Sequence, residues 1–281
     1  MEIWIGTAGY SYRDWVGAFY PPGTRGSQML AYYGRDFPVV ELNFTFYRAP
    51  TAAVLNRLAG QTPPGFQFIV KLPQSLSHEA NPRDLAACRE AVNALAKRNQ
   101  LLSLLCQLPQ RVHHTPRAEH WIETLAEGFS GLRLAVEFRH RSWAHPNLIS
   151  WAEGIGVDLV SVDVPDLPGL FPRGLIRASS HVYVRMHSRQ RANWYAGHAP
   201  RYDFSFPDAV LDEWIDAIPR GDDTEQVIFI FNNCYRHQAV DNARRLRTLF
   251  AQRAPDLHVV PPFAETPPVQ RSLFDSSPPA C

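Results

Sequence analysis

Eight short runs of β-branched, aromatic and aliphatic residues recur along the chain, with helical patterns between them. This alternation constrains the fold more than any other feature. The runs are Ile3–Gly6, Val39–Asn43, Phe66–Lys71, Leu101–Gln107, Leu132–Phe138, Val157–Asp163, His181–His187 and Val227–Asn232. Several are apolar almost throughout, as parallel strands buried on both faces must be. Strands alternating with helices argue for a parallel α/β sheet. Eight of them in 281 residues favour one TIM-type (β/α)8 barrel over an open doubly wound sheet. No Gly-x-Gly-x-x-Gly follows a strand, and Gly6-Thr7-Ala8-Gly9 is only loosely similar, so a dinucleotide-binding fold is disfavoured.

The intervening segments carry helix signals. Thr51 is placed to cap a helix with Val54, Leu55 and Leu58 on its apolar face. Asn81-Pro82 and Thr115-Pro116 each put a capping side chain before a proline suited to a first helical turn. Further helices are expected from about Ser27 to Arg35, after Pro146, around Val210–Ile218 and around Val240–Phe250. The stretch from Pro165 to Ser180 holds three prolines and is expected to be a loop with one short turn. Residues 1–260 thus read as the barrel. Residues 261–281, rich in Pro, Ser and Thr, read as a disordered tail.

Composition removes several classes of function. A net charge of +1 provides no global field for polyanions or an anionic membrane, so nucleic-acid binding needs a local basic cleft. No apolar run reaches the roughly 18 residues of a membrane span. Met1 to Gly6 reads as a buried strand and lacks a basic-then-apolar leader pattern. Cys88, Cys106, Cys234 and Cys281 are scattered without a Cys-x-x-Cys pair, which suits a reducing cytoplasm and argues against a zinc finger or disulfide framework. Among 28 lysines and arginines only Lys71 and Lys97 are lysine, which singles out Lys71 at a strand end.

In such barrels chemistry gathers where strands end and βα-loops begin. Glu41, Asn43, Tyr47 and Arg48 fall at the end of the second run, Lys71 and His78 at the third, and Gln107 at the fourth. Glu137, Arg139 and Trp143 follow the fifth, Asp163 ends the sixth, Arg185 and His187 the seventh, and Asn232 and Asn233 the eighth. Tyr10 and Trp15 follow the first. Glu41, Glu137, Asp163 and His187 are candidate acids and bases, or ligands for a divalent metal such as Mg²⁺. Lys71, Arg48, Arg139 and Arg185 suit a phosphate or carboxylate. Tyr10, Trp15, Tyr47 and Trp143 are candidates for stacking on a ring. The structural alternative is mutual neutralisation, with Glu137 paired to Arg185 and no chemistry. A multi-zinc site would want more strand-end histidines than His187 and His78. His113-His114 reads as a solvated loop. No Gly-x-Ser-x-Gly or His-Glu-x-x-His occurs, so serine hydrolase and zincin chemistry have no support.

These same residues carry a resemblance. The segments IGTAGYSYRDW at 5–15, FYPP at 19–22, VELNFTFYRAP at 40–50 and FQFIVKLP at 66–73 resemble the YecE-like family, domain-of-unknown-function family 72. So do QLP at 107–109, AVEFRHRSW at 135–143, YVRMH at 183–187 and FNN at 231–233. The resemblance runs from about residue 3 to 250 and implies a TIM-type barrel, similar by fold to the group that includes endonuclease IV and xylose isomerase. It implies no activity, since fold alone does not carry function. Tyr10 and Ser188 stand where many relatives are expected to have Trp and Gly, which bears on substrate preference.

In the tail, Gln270-Arg271-Ser272-Leu273-Phe274 resembles the short peptide by which bacterial proteins dock on the DNA polymerase sliding clamp. Such a peptide seats Leu273 and Phe274 in apolar pockets while Gln270 fixes register. Three functional readings follow. One is a phosphodiesterase or repair-type enzyme delivered to DNA by the clamp. Another is a small-molecule enzyme acting on a phosphorylated or acidic sugar-like substrate. The third is a non-catalytic clamp-associated binding protein. A basic groove leading away from the strand ends favours DNA; a small closed pocket favours a metabolite.

Overall fold

The structure, a computed structural model, describes residues 1–221 and 223–263. All eight expected runs are strands: β1 (Glu2–Ala8), β2 (Val39–Leu42), β3 (Gln67–Lys71), β4 (Leu101–Gln107), β5 (Leu134–Glu137), β6 (Asp158–Asp163), β7 (His181–Met186) and β8 (Gln226–Phe231). They pair in parallel in the order β2-β3-β4-β5-β6-β7-β8-β1, and β1 returns to β2, closing an eight-stranded barrel. Closure brings Gly6 opposite Val39 so tightly that a Cβ at position 6 would lie 2.2 Å from the Val39 carbonyl oxygen. Only glycine fits there.

A ninth strand, β9 (His258–Val259), lies beyond the eight runs of the sequence pattern. It pairs in parallel with Glu2 and Ile3 at the start of β1, below the stretch of β1 that meets β2. Four residues on, the Phe263 ring packs against Gly65, just ahead of β3. Both contacts lie at the N-terminal end of the barrel.

The helices are α1 (Gly26–Tyr33), α2 (Phe44–Tyr47), α3 (Ala52–Ala59), α4 (Gln74–Ser77), α5 (Leu85–Ala96), α6 (Pro116–Gly128), α7 (Leu148–Ile155), α8 (His198–Tyr202), α9 (Asp208–Ala217) and α10 (Gln238–Arg253). Thr51 and Thr115 cap α3 and α6 as their sequence positions demand, accepting from the Val54 and Ala118 amides. Asn81 caps a 3₁₀ turn, Pro82–Asp84, that leads into α5. Residues 164–180 form neither helix nor strand. That segment is tied to β6, where Ser161 Oγ accepts from the Ile176 amide at 2.9 Å. No helix among the described residues is long and apolar enough to cross a membrane.

The side chains of each strand alternate between barrel interior and helix layer. On β7, Tyr183 and Arg185 point inward, as does His187 just beyond. Phe229 on β8 points outward, against Trp214 of α9 and Phe250 of α10. The core is apolar and almost wholly buried, each large side chain contributing about 1.5–3 kcal/mol. The clamp-like peptide with Gln270, Leu273 and Phe274 lies outside the described residues.

Candidate functional site

Across the C-terminal mouth of the barrel, Arg185 spans from β7 to two opposite strands. Its Nε and Nη2 donate to Glu41 on β2 at 2.8 and 2.6 Å, and its Nη1 donates to Glu137 on β5. Tyr183, one inward position below, donates its hydroxyl to Glu41 at 2.5 Å. Arg139 pairs with the other side of Glu137. His187 Nε2 lies 3.3 Å from Glu137 Oε1 and 3.2 Å from Arg139 Nη2, and the Asn232 amide nitrogen lies 2.9 Å from Nδ1, so both ring nitrogens are engaged.

Glu41, Glu137, Arg185 and His187 are buried, so their charge states follow from one another. Burial alone would push the Glu137 carboxyl up, but Arg139 and Arg185 hold it well below the usual range. Burial lowers Arg185, yet Glu137 and Glu41 raise it well above its ordinary value. Burial and then Arg139 push His187 down to about 3, so the ring is neutral near pH 7.

Above this network lies a cavity of about 710 Å³. Glu41, Glu137 and His187 do not line it; the groups they hold, Arg185, Arg139 and Asn232, do. Lys71 completes the floor. Its Nζ donates to Gln107 Oε1 at 2.8 Å and sits 4.6 Å from the centre of the Phe46 ring. Burial, then Arg185, lower it to about 8. At the floor, three cations stand over two carboxylates, and both carboxylates are already paired. The walls are aromatic: Tyr10, Tyr12, Phe44, Phe46, Tyr47, Trp194, Tyr202 and Tyr235. Asn43 and His78 also line the cavity, and the buried Asn43 Oδ1 accepts no hydrogen bond from the protein. His78 is pushed down to about 4 by burial and by Lys71.

Five sequence expectations need correction. Asp163 ends β6 but points outward. It stands beside Met186, whereas the neighbouring Val162 stands beside the inward Arg185. Asp163 instead accepts from Arg189 and, at 2.6 Å, from Trp214 of α9. Asn233 is turned out by the same alternation, one residue beyond Asn232, and bonds to Phe204 and Asn242. Trp15 and Trp143 are fully buried pins whose indoles donate to the carbonyls of Cys234 and Val112. Arg48 is exposed and does not line the cavity.

Other cavity residues carry no mark in the sequence. Trp194 lines the cavity, edge-on to His187 and under Arg139 and Arg201. Asp14 and Arg201 line it as well. Trp194 and Arg201 lie in the long connection after β7, where no strand end marks them; Asp14 sits inside the YRDW segment, between Tyr12 and Trp15.

A divalent metal does not fit the strand-end carboxylates. Glu41 and Glu137 are both engaged by guanidinium groups, and Arg185 occupies the space between them that an ion would need.

Fold and site together define a parallel (β/α) barrel with a cation-floored, aromatic-walled pocket over its strand ends. The chain belongs to the DUF72 family, described as "Protein of unknown function DUF72", which it matches over residues 4–268. It is 25% identical over 269 residues to the UPF0759 protein YunF of Bacillus subtilis, covering 88% of this chain and 94% of that protein. It is 30% identical over 145 residues, about half of each chain, to the UPF0759 protein YecE of Escherichia coli. Among solved structures, a DUF72 family protein from Thermotoga maritima superposes with a TM-score of 0.82 at 32% identity, covering 89% of this chain and 99% of that one. A DUF72 family protein from Enterococcus faecalis, at 20% identity and a TM-score of 0.80, shares the fold over 94% of this chain and 99% of that one.

Proposed function

We propose that the barrel is a small-molecule enzyme whose substrate carries a phosphate or carboxylate on a hydroxylated, ring-like body. One observation carries this reading: the cations Lys71, Arg139 and Arg185 line the cavity, while Glu41 and Glu137 lie behind them. A buried cation surplus favours an anion, and arginines held rigid from behind present their remaining donors at no ordering cost. The aromatic walls suit the body of the substrate. Asn43 offers it an unused acceptor. Lys71, lowered to about 8, is the acid–base group best matched to neutral pH. Glu41, Glu137 and His187 act as positioning residues, since each reaches the cavity only through another side chain. Calorimetric titration with sugar phosphates, sugar acids and single-stranded oligonucleotides tests the reading. Small anions should bind to the intact chain. Binding of oligonucleotides alone would overturn it in favour of nucleic acid.

A second reading rests on the tail. The Gln270-Arg271-Ser272-Leu273-Phe274 segment supports recruitment to the DNA sliding clamp, with the pocket receiving a nucleic-acid phosphate or serving only as a ligand site. Each of Leu273 and Phe274 would contribute about 1.5–3 kcal/mol on burial. A clamp pull-down should therefore succeed with the intact protein and fail with a Leu273→Ala, Phe274→Ala double variant. Equal capture of both, or of neither, removes this reading.

A further inference from the structure

Away from the cavity floor, His114, Glu119 and His145 each bring a ligand atom within 4.8 Å of the other two. They come from two connections: His114 just ahead of α6, Glu119 within its first turn, and His145 between β5 and α7. We propose that these three residues form a transition-metal site of zinc type that ties the two connections together.

The donor set fits. Two imidazoles and one carboxylate are ligands that zinc takes in sites with an open fourth position. His114 Nε2 lies 2.8 Å from Glu119 Oε1, and the His114 and His145 ring centres are 4.3 Å apart. A tetrahedral ion with bonds of about 2.0–2.1 Å sets its ligand atoms roughly 3.3 Å apart. The His114–Glu119 pair lies just inside that value and no ligand-atom separation in the trio exceeds 4.8 Å, so the site needs rotation of the rings to close on an ion. A second observation points the same way. His145 Nε2 is buried and has no hydrogen-bond partner. A buried imidazole nitrogen that no protein group hydrogen-bonds is available as a metal ligand.

The backbone around the trio is already fixed. The His114 amide donates to Ser142 Oγ at 2.8 Å, across the two connections. Two residues before His145, the buried Trp143 donates to the Val112 carbonyl at 3.0 Å. Thr115 caps α6 and so holds Glu119 in the first turn. His114 and Glu119 have side chains 30% and 27% exposed, enough for an ion to enter and keep one water. The same connections carry Gln110 and Arg139 to the cavity, so an ion here would brace one wall of the pocket. Nitrogen donors select zinc, nickel or copper over magnesium or calcium.

The test uses the full chain after chelator treatment. Zn²⁺ is titrated by calorimetry, and Co²⁺ serves as a visible probe of tetrahedral coordination. We expect one ion per chain, a tetrahedral Co²⁺ spectrum and a higher melting temperature with Zn²⁺. Glu119→Gln, which keeps its size at a partly exposed position, and His145→Gln should each weaken binding at least tenfold. His258→Gln, on β9 at the other end of the barrel, should leave it unchanged. Absence of a Co²⁺ spectrum in the intact protein, or equal affinity in the Glu119→Gln and His145→Gln variants, overturns the assignment.

Discussion

Position 71 sets stability against affinity. Lys71 titrates near 8 in the folded protein instead of 10.5, so between those values the unfolded chain binds more protons. Its contribution to stability therefore rises with pH across that window and is least favourable below about pH 8. The penalty at pH 7 is about 3 kcal/mol. Lys71→Met should raise the melting temperature at pH 7, with a gain that shrinks toward pH 10, and should weaken anion binding at least tenfold. Urea melts at both pH values and calorimetry decide; unchanged affinity refutes the role. Glu137 behaves oppositely. Glu137→Gln leaves Arg139 and one end of Arg185 unneutralised in a buried setting, at a cost of about 3–5 kcal/mol. Burial opposes its charge, but Arg139 and Arg185 prevail and hold the carboxyl low. The stability it provides is thus fully present above the ordinary carboxylate range. It fades as pH falls through the folded value, and denaturant melts at pH 7 and pH 3 should show the variant's deficit shrinking.

At the level of strands, the sequence discloses existence and order but not facing. Continuous apolar runs announce buried parallel strands, and all eight were legible for that reason. Which way the last residue of a run points depends on register with its neighbours. Glu41, Glu137 and Arg185 fall on inward positions, while Asp163 and Asn233 fall one residue off. Nothing in a run such as Val157–Asp163 reveals that Val162, and not Asp163, stands level with Arg185. The residues after β7 were illegible for a different reason: Trp194 reaches the cavity through a long connection with no periodicity of its own. The two-residue β9 is too short to give any pattern. Facing also yields a prediction. Asp163→Asn weakens the tie from β6 to Arg189 and to Trp214 on α9, and should cost about 2–3 kcal/mol in chemical denaturation. Anion affinity should stay as it was, because Asp163 does not line the cavity. A loss of affinity without loss of stability would contradict the outward placement.

For the molecule as a whole, the shifts divide by pH: the lowered imidazoles and carboxylates act with one sign in acid and neutral solution, whereas above about pH 9 the buried thiols of Cys88, Cys106 and Cys234, each pushed up to about 12 by burial, act with the other. His187, held down to about 3, stays neutral when folded but gains a proton when unfolded below about pH 6.5. Glu137 adds to this in more acid solution and Lys71 does so above pH 8. Unfolding should therefore take up protons through the acid and neutral windows, and stability should climb with pH up to about pH 8. From His187 alone the fall between pH 6.5 and pH 5 is about 2 kcal/mol. Melting temperatures measured from pH 4 to pH 8 should rise steadily; a maximum near pH 5 would show that these groups do not govern the molecule.

The short β9 strand fixes where the last described residues lie. It lies along the start of β1, and Phe263 then turns against Gly65, both on the floor side opposite the mouth. From there to Gln270 a fully extended chain reaches at most about 25 Å. Under the docking reading proposed above, the partner would be held from the floor side, away from the mouth. Ligand and docking protein would then be accommodated together, each indifferent to the other, like cargo in a bucket carried by its base.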